Sequence, residues 1–254
     1  MTFSIVAHCP RTGMLGVAVA TAVPAVGSTC PYVRSGLGAV STQSWVNPHL
    51  ALETLSGLAA GVSAVGALEA AIAQDAGSAL RQIGVVDAQG RSAAWSGREC
   101  TPWFGQIVEA HFAVQGNMLV GEDTLLAMAA AFRDSAAMDL DERLLRALEA
   151  GDAAGGDRRG KQSASLKVHH RQPFPLLDLR VDEHPDPVAE LRRVHGIARA
   201  ELLPFVLQMP TSVRGEGGVA PAVLMSLALS PEQRAVQRAA RAIPVGSPAE
   251  GMQP

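Results

Sequence analysis

Thr2 is the first residue in this chain whose chemistry stands out. A small residue directly after Met1 suits trimming by methionine aminopeptidase. Trimming would leave a hydroxyl nucleophile and a free α-amino group on one residue. Such an amine titrates near ~7.7–8 in reference compounds, so close to neutral pH it can take the hydroxyl proton, directly or through a water. Nucleophile and base are then complete without a histidine. The same residues also read as an ordinary first strand, and with Met1 retained the amine is blocked.

A second candidate runs from Gly151 to Ser163, where Gly155-Gly156-Asp157-Arg158-Arg159-Gly160-Lys161-Gln162-Ser163 leads into a strand. Its glycines permit positive φ and close backbone approach, and its arginine forks suit a carboxylate. Asp157, Arg158, Arg159, Gln162 and Ser163 are therefore substrate-binding candidates; the bland reading is a solvated charged connection. A third is Ser41-Thr42-Gln43-Ser44-Trp45-Val46-Asn47. Gln43 and nearby backbone amides have the chemistry to polarise a carbonyl, and helix capping with Trp45 packed over it is the plain alternative. Gln115-Gly116-Asn117 sets two carboxamides about a glycine, and taken alone it is a turn. Asn117 joins Thr2 and Gln43 as a catalytic candidate.

The histidines show no metal-binding spacing, and Cys9, Cys30 and Cys100 are too dispersed for a structural zinc site. No dinucleotide fingerprint, phosphate loop or serine-hydrolase elbow is present. No metal and no cofactor is expected. His8 and Cys9 are adjacent in a strand, so they point to opposite faces and form no dyad.

These residues must be held by a fold whose elements come in hairpins and helix pairs. Residues 2–7 and 15–20 read as a hairpin around the Pro10 to Gly13 turn, with a second pair at 28–34 and 38–43. Asn47-Pro48 starts a helix that stops at Gly61, and Ser63 caps another. Strands are expected at 82–87, 92–96 and 112–117, helices at 122–133 and 139–149, strands at 162–168 and 176–181, then a charged helix from Pro187 to Arg199. Hairpins and helix pairs in this order give an α+β class without strict strand–helix alternation.

With 254 residues, 48% hydrophobic, the chain can bury one sizeable core. A net charge of −3 offers no electrostatic reason to bind nucleic acid or an anionic membrane. No stretch is long and apolar enough to span a bilayer. Free thiols and no signal peptide point to the cytoplasm. Composition divides the chain into residues 1–204 and a Pro/Gly/Ala-rich accessory segment, 205–254, expected to be partly disordered apart from a helix near 231–241.

Together these segments resemble the bacterial family known as domain of unknown function 1028, of the N-terminal-nucleophile (Ntn) hydrolase-like superfamily. The likeness rests on Thr2-Phe3-Ser4-Ile5-Val6-Ala7, on Leu15 to Ala20 with Pro24-Ala25-Val26-Gly27, and on Thr42-Gln43 with Asn47-Pro48. It continues through Gln82 to Asp87 and Val114 to Leu119, and closes with Leu179 to Asp182 and His184 to Pro187. Its most specific piece is Ala154-Gly155-Gly156-Asp157-Arg158-Arg159-Gly160-Lys161-Gln162-Ser163-Ala164. It covers about residues 1–200.

The resemblance implies a four-layer αββα sandwich, two stacked antiparallel sheets flanked by helices, with Thr2 at the mouth of the central cleft. It also implies attack on an amide carbonyl and an acyl-enzyme resolved by water. Many relatives carry an Arg-Asp pair after the first strand where this chain has His8-Cys9; if that pair edges the cleft, substrate preference shifts.

The expected function is an amidohydrolase acting on a small carboxylate-bearing amide, as a homo-oligomer. Thr2 and its amine would be nucleophile and base, Asp157, Arg158 and Arg159 would position substrate, and Asn117 or Gln43 would polarise the carbonyl. A non-catalytic ligand-binding or assembly protein on the same scaffold is the alternative, and a cysteine enzyme a third.

Overall fold

The computed structural model describes residues 2–211, 213, 215–218 and 220–242. Met1 and the polar end beyond residue 242 lie outside the described residues. The chain divides into two compact units, Met1–Gly196 and a second beginning at Ile197.

The first unit is built on two antiparallel sheets. β1 (Thr2–His8) and β2 (Leu15–Thr21) form the first hairpin. β3 (Pro31–Arg34) and β4 (Gly38–Ser44) form the second, preceded by a 3-10 turn at Val26–Ser28. Helices α1 (Pro48–Ala59) and α2 (Ala64–Gln74) follow, then the hairpin β5 (Arg81–Asp87) and β6 (Ser92–Ser96). β7 (Gly105–Glu109) and β8 (Phe112–Asn117) lead to helices α3 (Asp123–Asp134) and α4 (Leu140–Ala153). β9 (Ser163–His169), β10 (Pro175–Val181) and helix α5 (Pro187–Glu201) complete the order. One sheet runs β10-β9-β2-β1-β8-β7 and the other β3-β4-β5-β6.

The two sheets stack face to face. Helices α1 and α2 cover the outside of the four-stranded sheet, and α3 and α4 cover the six-stranded one. The α+β, αββα expectation therefore stands. Asn47 Oδ1 accepts the His49 N–H at 3.1 Å and starts α1 with Pro48 in the first turn. Trp45 is 70% exposed, so the cap is made by Asn47 without Trp45 buried over it.

β7 was not legible as a strand. Its alternating exposed residues pair with β8 on one side only, leaving little apolar signal. Among the described residues no helix is long and apolar enough to cross a membrane.

The period of two in the strands sorts residues between the layers. Phe3 and Ile5 face the helices, where Phe3 lies against Gly151 and Gly156. Val6, Leu15, Val17, Val33, Ala39, Val86 and Ala113 meet between the sheets as an apolar cluster. Towards the start of β1 the same interlayer face becomes polar. Ser4, Gln43, Gln82, Gln115 and Asn117 are all at most 1% exposed there.

In the second unit α6 (Leu203–Val206), α7 (Pro221–Leu227) and α8 (Pro231–Ala242) follow the end of α5. α7 begins at Pro221 within the Pro/Gly/Ala-rich segment. A first-turn proline gives up only an amide hydrogen that has no intrahelical partner there. Arg234 and Arg238 both pair with Glu201 within this unit.

Candidate active site

Thr2 opens the central strand of the larger sheet. β1 is antiparallel to both neighbours: Phe3 lies opposite Ala20 of β2 and Gly116 of β8, and Thr2 opposite Asn117. Thr2 Oγ1 donates to Thr21 Oγ1 at 3.3 Å. Thr2 is 4% exposed and Thr21 1%, so two hydroxyls meet in a nearly dry place.

Behind Thr2 lies the buried carboxamide network. Gln43 Nε2 donates to the Thr2 carbonyl at 3.2 Å, to Gln82 Oε1 at 2.8 Å and to the Gln115 carbonyl at 3.2 Å. Ser4 Oγ donates to Gln43 Oε1 at 2.6 Å and accepts from Gln115 Nε2 at 2.6 Å. Asn117 Nδ2 donates to Gln82 Oε1 at 2.9 Å. Gln82 Nε2 in turn reaches Ser96 Oγ and the carbonyls of Gly105 and Gly116. The network ties the first residue of β1 to both sheets. Its close packing depends on Gly84, where an added Cβ would sit 2.1 Å from Gln115 Oε1.

Gln43, expected to polarise a substrate carbonyl, is engaged within the protein. Its two amide hydrogens already face three protein acceptors, so it fixes the Thr2 backbone instead. Asn117 differs, because its amide nitrogen carries a second hydrogen beyond the one given to Gln82.

The Gly-rich loop closes over the same end of the sheet. The Gln162 N–H donates to the Thr21 carbonyl at 2.8 Å and the Arg158 N–H to the Met118 carbonyl at 3.3 Å. Leu119 and Asp157 form an isolated antiparallel bridge. The loop thus spans the ends of β2 and β8, with the start of β1 between them. Gly155 and Gly156 both have positive φ, at 107° and 51°, a conformation that favours glycine.

Within the loop the candidates divide. Asp157, with a side chain 2% exposed, accepts from the Ala22 N–H at 3.0 Å and the Arg159 N–H at 2.8 Å, and pairs with the Arg159 guanidinium at 3.2 Å. Ser163 Oγ donates to the Val23 carbonyl at 2.7 Å and accepts from the Val26 N–H at 3.1 Å. Both polar heads are hydrogen-bonded to backbone groups and brace the loop. Arg158 is exposed, the Arg159 side chain is 40% exposed and Gln162 is half-buried. These three are the solvent-accessible candidates of the loop.

Thr21, Gln82 and Ser4 are the partners that sequence reasoning missed. The available signal was a polar residue on an otherwise apolar strand face, as at Gln82. Their convergence needed the sheets to be stacked.

The departure at His8-Cys9 does not edge this cleft. It lies at the other end of β1, roughly 20 Å from Thr2 at about 3.4 Å per residue. There the His8 and His111 Nδ1 atoms are 3.2 Å apart and the rings stack. Burial, and then the charge of His111, hold His8 below the usual histidine range against an opposing pull from Asp87. Cys30 is buried deeply enough to push its thiol up to about 11, a poor setting for a thiolate nucleophile. Among the described residues no group of three or more His, Cys, Asp or Glu side chains is arranged to hold a metal ion.

A family model described as "Family of unknown function (DUF1028)" matches residues 2–191. Among solved structures, a Silicibacter pomeroyi protein bearing the same family model is 32% identical at a TM-score of 0.80. That match covers 86% of this chain and 96% of the other. The Anbu (ancestral beta-subunit) protein of Yersinia bercovieri is 13% identical at a TM-score of 0.37, over 82% of this chain and 98% of that one. No curated protein matches.

Proposed function

The chain belongs to the family of unknown function DUF1028, and on that premise we propose that it is an N-terminal-nucleophile amidohydrolase. Its substrate would be a small amide bearing a carboxylate. The observation that carries this reading is the placement of Thr2. It opens the central strand, its carbonyl is pinned by Gln43 and its hydroxyl meets Thr21, beneath an arginine-bearing loop.

After removal of Met1, the Thr2 amine takes the hydroxyl proton as Oγ1 attacks the substrate carbonyl carbon. In this reading Asn117 stabilises the oxyanion through its second amide hydrogen. The C–N bond then breaks, the amine leaves with the proton, and the acyl group stays on Oγ1 as an ester. A water, deprotonated by the same amine, attacks the ester, releasing the acid and restoring Thr2. Arg158 and Arg159 receive the substrate carboxylate, and Asp157 positions Arg159.

The test begins with the intact mass of the untagged protein, where loss of Met1 is expected. Wild type is then compared with Thr2→Ala and Thr2→Ser on a panel of small carboxylate-bearing amides, with circular dichroism checking the fold. Thr2→Ala should abolish turnover while Thr2→Ser retains part of it. Turnover by folded Thr2→Ala at the wild-type rate, or by protein retaining Met1, would sink the reading. Ligand binding without turnover, unchanged by Thr2→Ala, would favour a binding protein.

A further inference from the structure

A cavity lies at the opposite end of β1 from Thr2 and owes nothing to the Thr2 reading. It has a volume of about 280 Å³ and is walled by Pro10, Phe112 and Phe132, with Arg11, Arg133 and Arg143 around it. The two phenylalanine rings pack 4.8 Å apart at a tilt of 46°.

Arg143 is the unusual member. It is 8% exposed, its guanidinium sits 3.8 Å over the Phe132 ring, and Nη2 donates to the Phe132 carbonyl at 3.1 Å. Its Nε is buried with no hydrogen-bond partner, and among the described residues no carboxylate lies within ion-pair distance of it. Arg11 adds like charge beside it. A buried guanidinium without a counter-ion is costly.

The surroundings do not neutralise it. Arg11 gives Nη2 to the Met138 carbonyl, a neutral acceptor. Arg133 pairs with Glu109 at 3.0 Å, the one carboxylate among the described residues of the cavity wall. Three guanidinium groups thus stand against one carboxylate, with the His111 ring beside them.

We propose that this cavity binds a small organic carboxylate, its apolar body against Phe112, Phe132 and Pro10 and its anionic head on Arg143 and Arg11. A planar guanidinium matches a carboxylate through paired hydrogen bonds. The apolar wall favours an anion with a hydrocarbon body over inorganic phosphate. The volume lies just below the range of about 300–1,000 Å³ typical of drug-sized ligands, which suits a molecule the size of benzoate.

The experiment is calorimetric titration of the full chain with benzoate, benzamide and inorganic phosphate at low ionic strength. Benzoate should bind at least about tenfold more tightly than benzamide, as expected for charge-assisted hydrogen bonds, and more tightly than phosphate. Arg143→Met should abolish benzoate binding yet melt at or above the wild-type temperature, since it removes an unpaired buried charge. Arg11→Gln, at an exposed position, keeps the fold if Arg143→Met does not, and should weaken benzoate severalfold. Equal affinity for benzoate and benzamide, tighter phosphate binding, or no benzoate binding at about 10 mM would overturn the proposal. So would wild-type affinity in folded Arg143→Met or in Arg11→Gln.

Discussion

Replacing Gln82 by methionine tests whether the carboxamide network fixes the site end of the sandwich. Methionine has similar length and no polar head, so the substitution removes hydrogen bonds with little change in volume. Gln82 Oε1 accepts from Gln43 at 2.8 Å and Asn117 at 2.9 Å, and Nε2 donates to the Gly116 carbonyl at 2.9 Å. After substitution Gln43 Nε2 still has the Thr2 and Gln115 carbonyls, and Ser96 Oγ still reaches Gln106 Oε1 at 2.8 Å.

The group left stranded in the dry interior is Asn117 Nδ2, while the Gly116 carbonyl loses its side-chain donor but stays opposite Gly105 in the β7–β8 ladder. At about 1–3 kcal/mol for the buried group without a partner and about 0.5–1.5 kcal/mol for the lost hydrogen bond, the loss is about 1.5–4.5 kcal/mol. That is a large share of the ~5–15 kcal/mol by which domains are stable, and lowers the melting temperature by roughly 3–18 °C. Urea denaturation followed by circular dichroism should show a lower midpoint at unchanged slope. Adding Asn117→Leu removes one stranded donor, so the double variant should cost about 1–3 kcal/mol less than the sum of the singles. A loss below about 1 kcal/mol for Gln82→Met, or additivity within about 0.5 kcal/mol, would refute the reasoning.

Three further outcomes are expected. Gly156→Ala forces a side chain into φ 51° with its Cβ 2.9 Å from Phe3 Cε1, and should cost about 1–3 kcal/mol in urea unfolding. Asp157→Asn removes the anion that holds the Ala22 and Arg159 amides, so hydrogen exchange at both should quicken, with a loss of roughly 1–3 kcal/mol. His8 and His169 are both held below the usual histidine range, chiefly by burial. The unfolded chain therefore binds more protons below its own value of about 6.5, and stability present above that pH is lost as pH falls towards the folded values. The urea midpoint should drop between pH 7.5 and 5.5, and His8→Gln should flatten that slope.

How much of this was legible in the sequence follows from the range of the forces involved. Strand alternation, the Asn47 and Ser63 caps, and the glycine pair at 155–156 are local, set by sterics and hydrogen bonds within a few residues. They therefore announced the hairpins, the helices and a special loop. Thr2 and the arginines of that loop could be picked out by chemical type alone. The edge strand β7 and the proline-led α7 escaped because one lacks a buried face and the other was hidden by the residue that starts it.

Roles within the site were decided only by tertiary structure. Gln43 and Asn117 have the same functional group, yet stacking two sheets surrounds one with acceptors and leaves the other a hydrogen to give. Asp157 and Ser163 have the chemistry of substrate ligands, yet the segment after β2 presents backbone groups that hydrogen-bond to both side chains. The cavity beneath Arg143 likewise exists because α3, α4 and the end of β1 bring distant residues together around a charge that no neighbouring carboxylate balances. Sequence determined which groups are available; how many hydrogen bonds each has left is a property of three-dimensional neighbours.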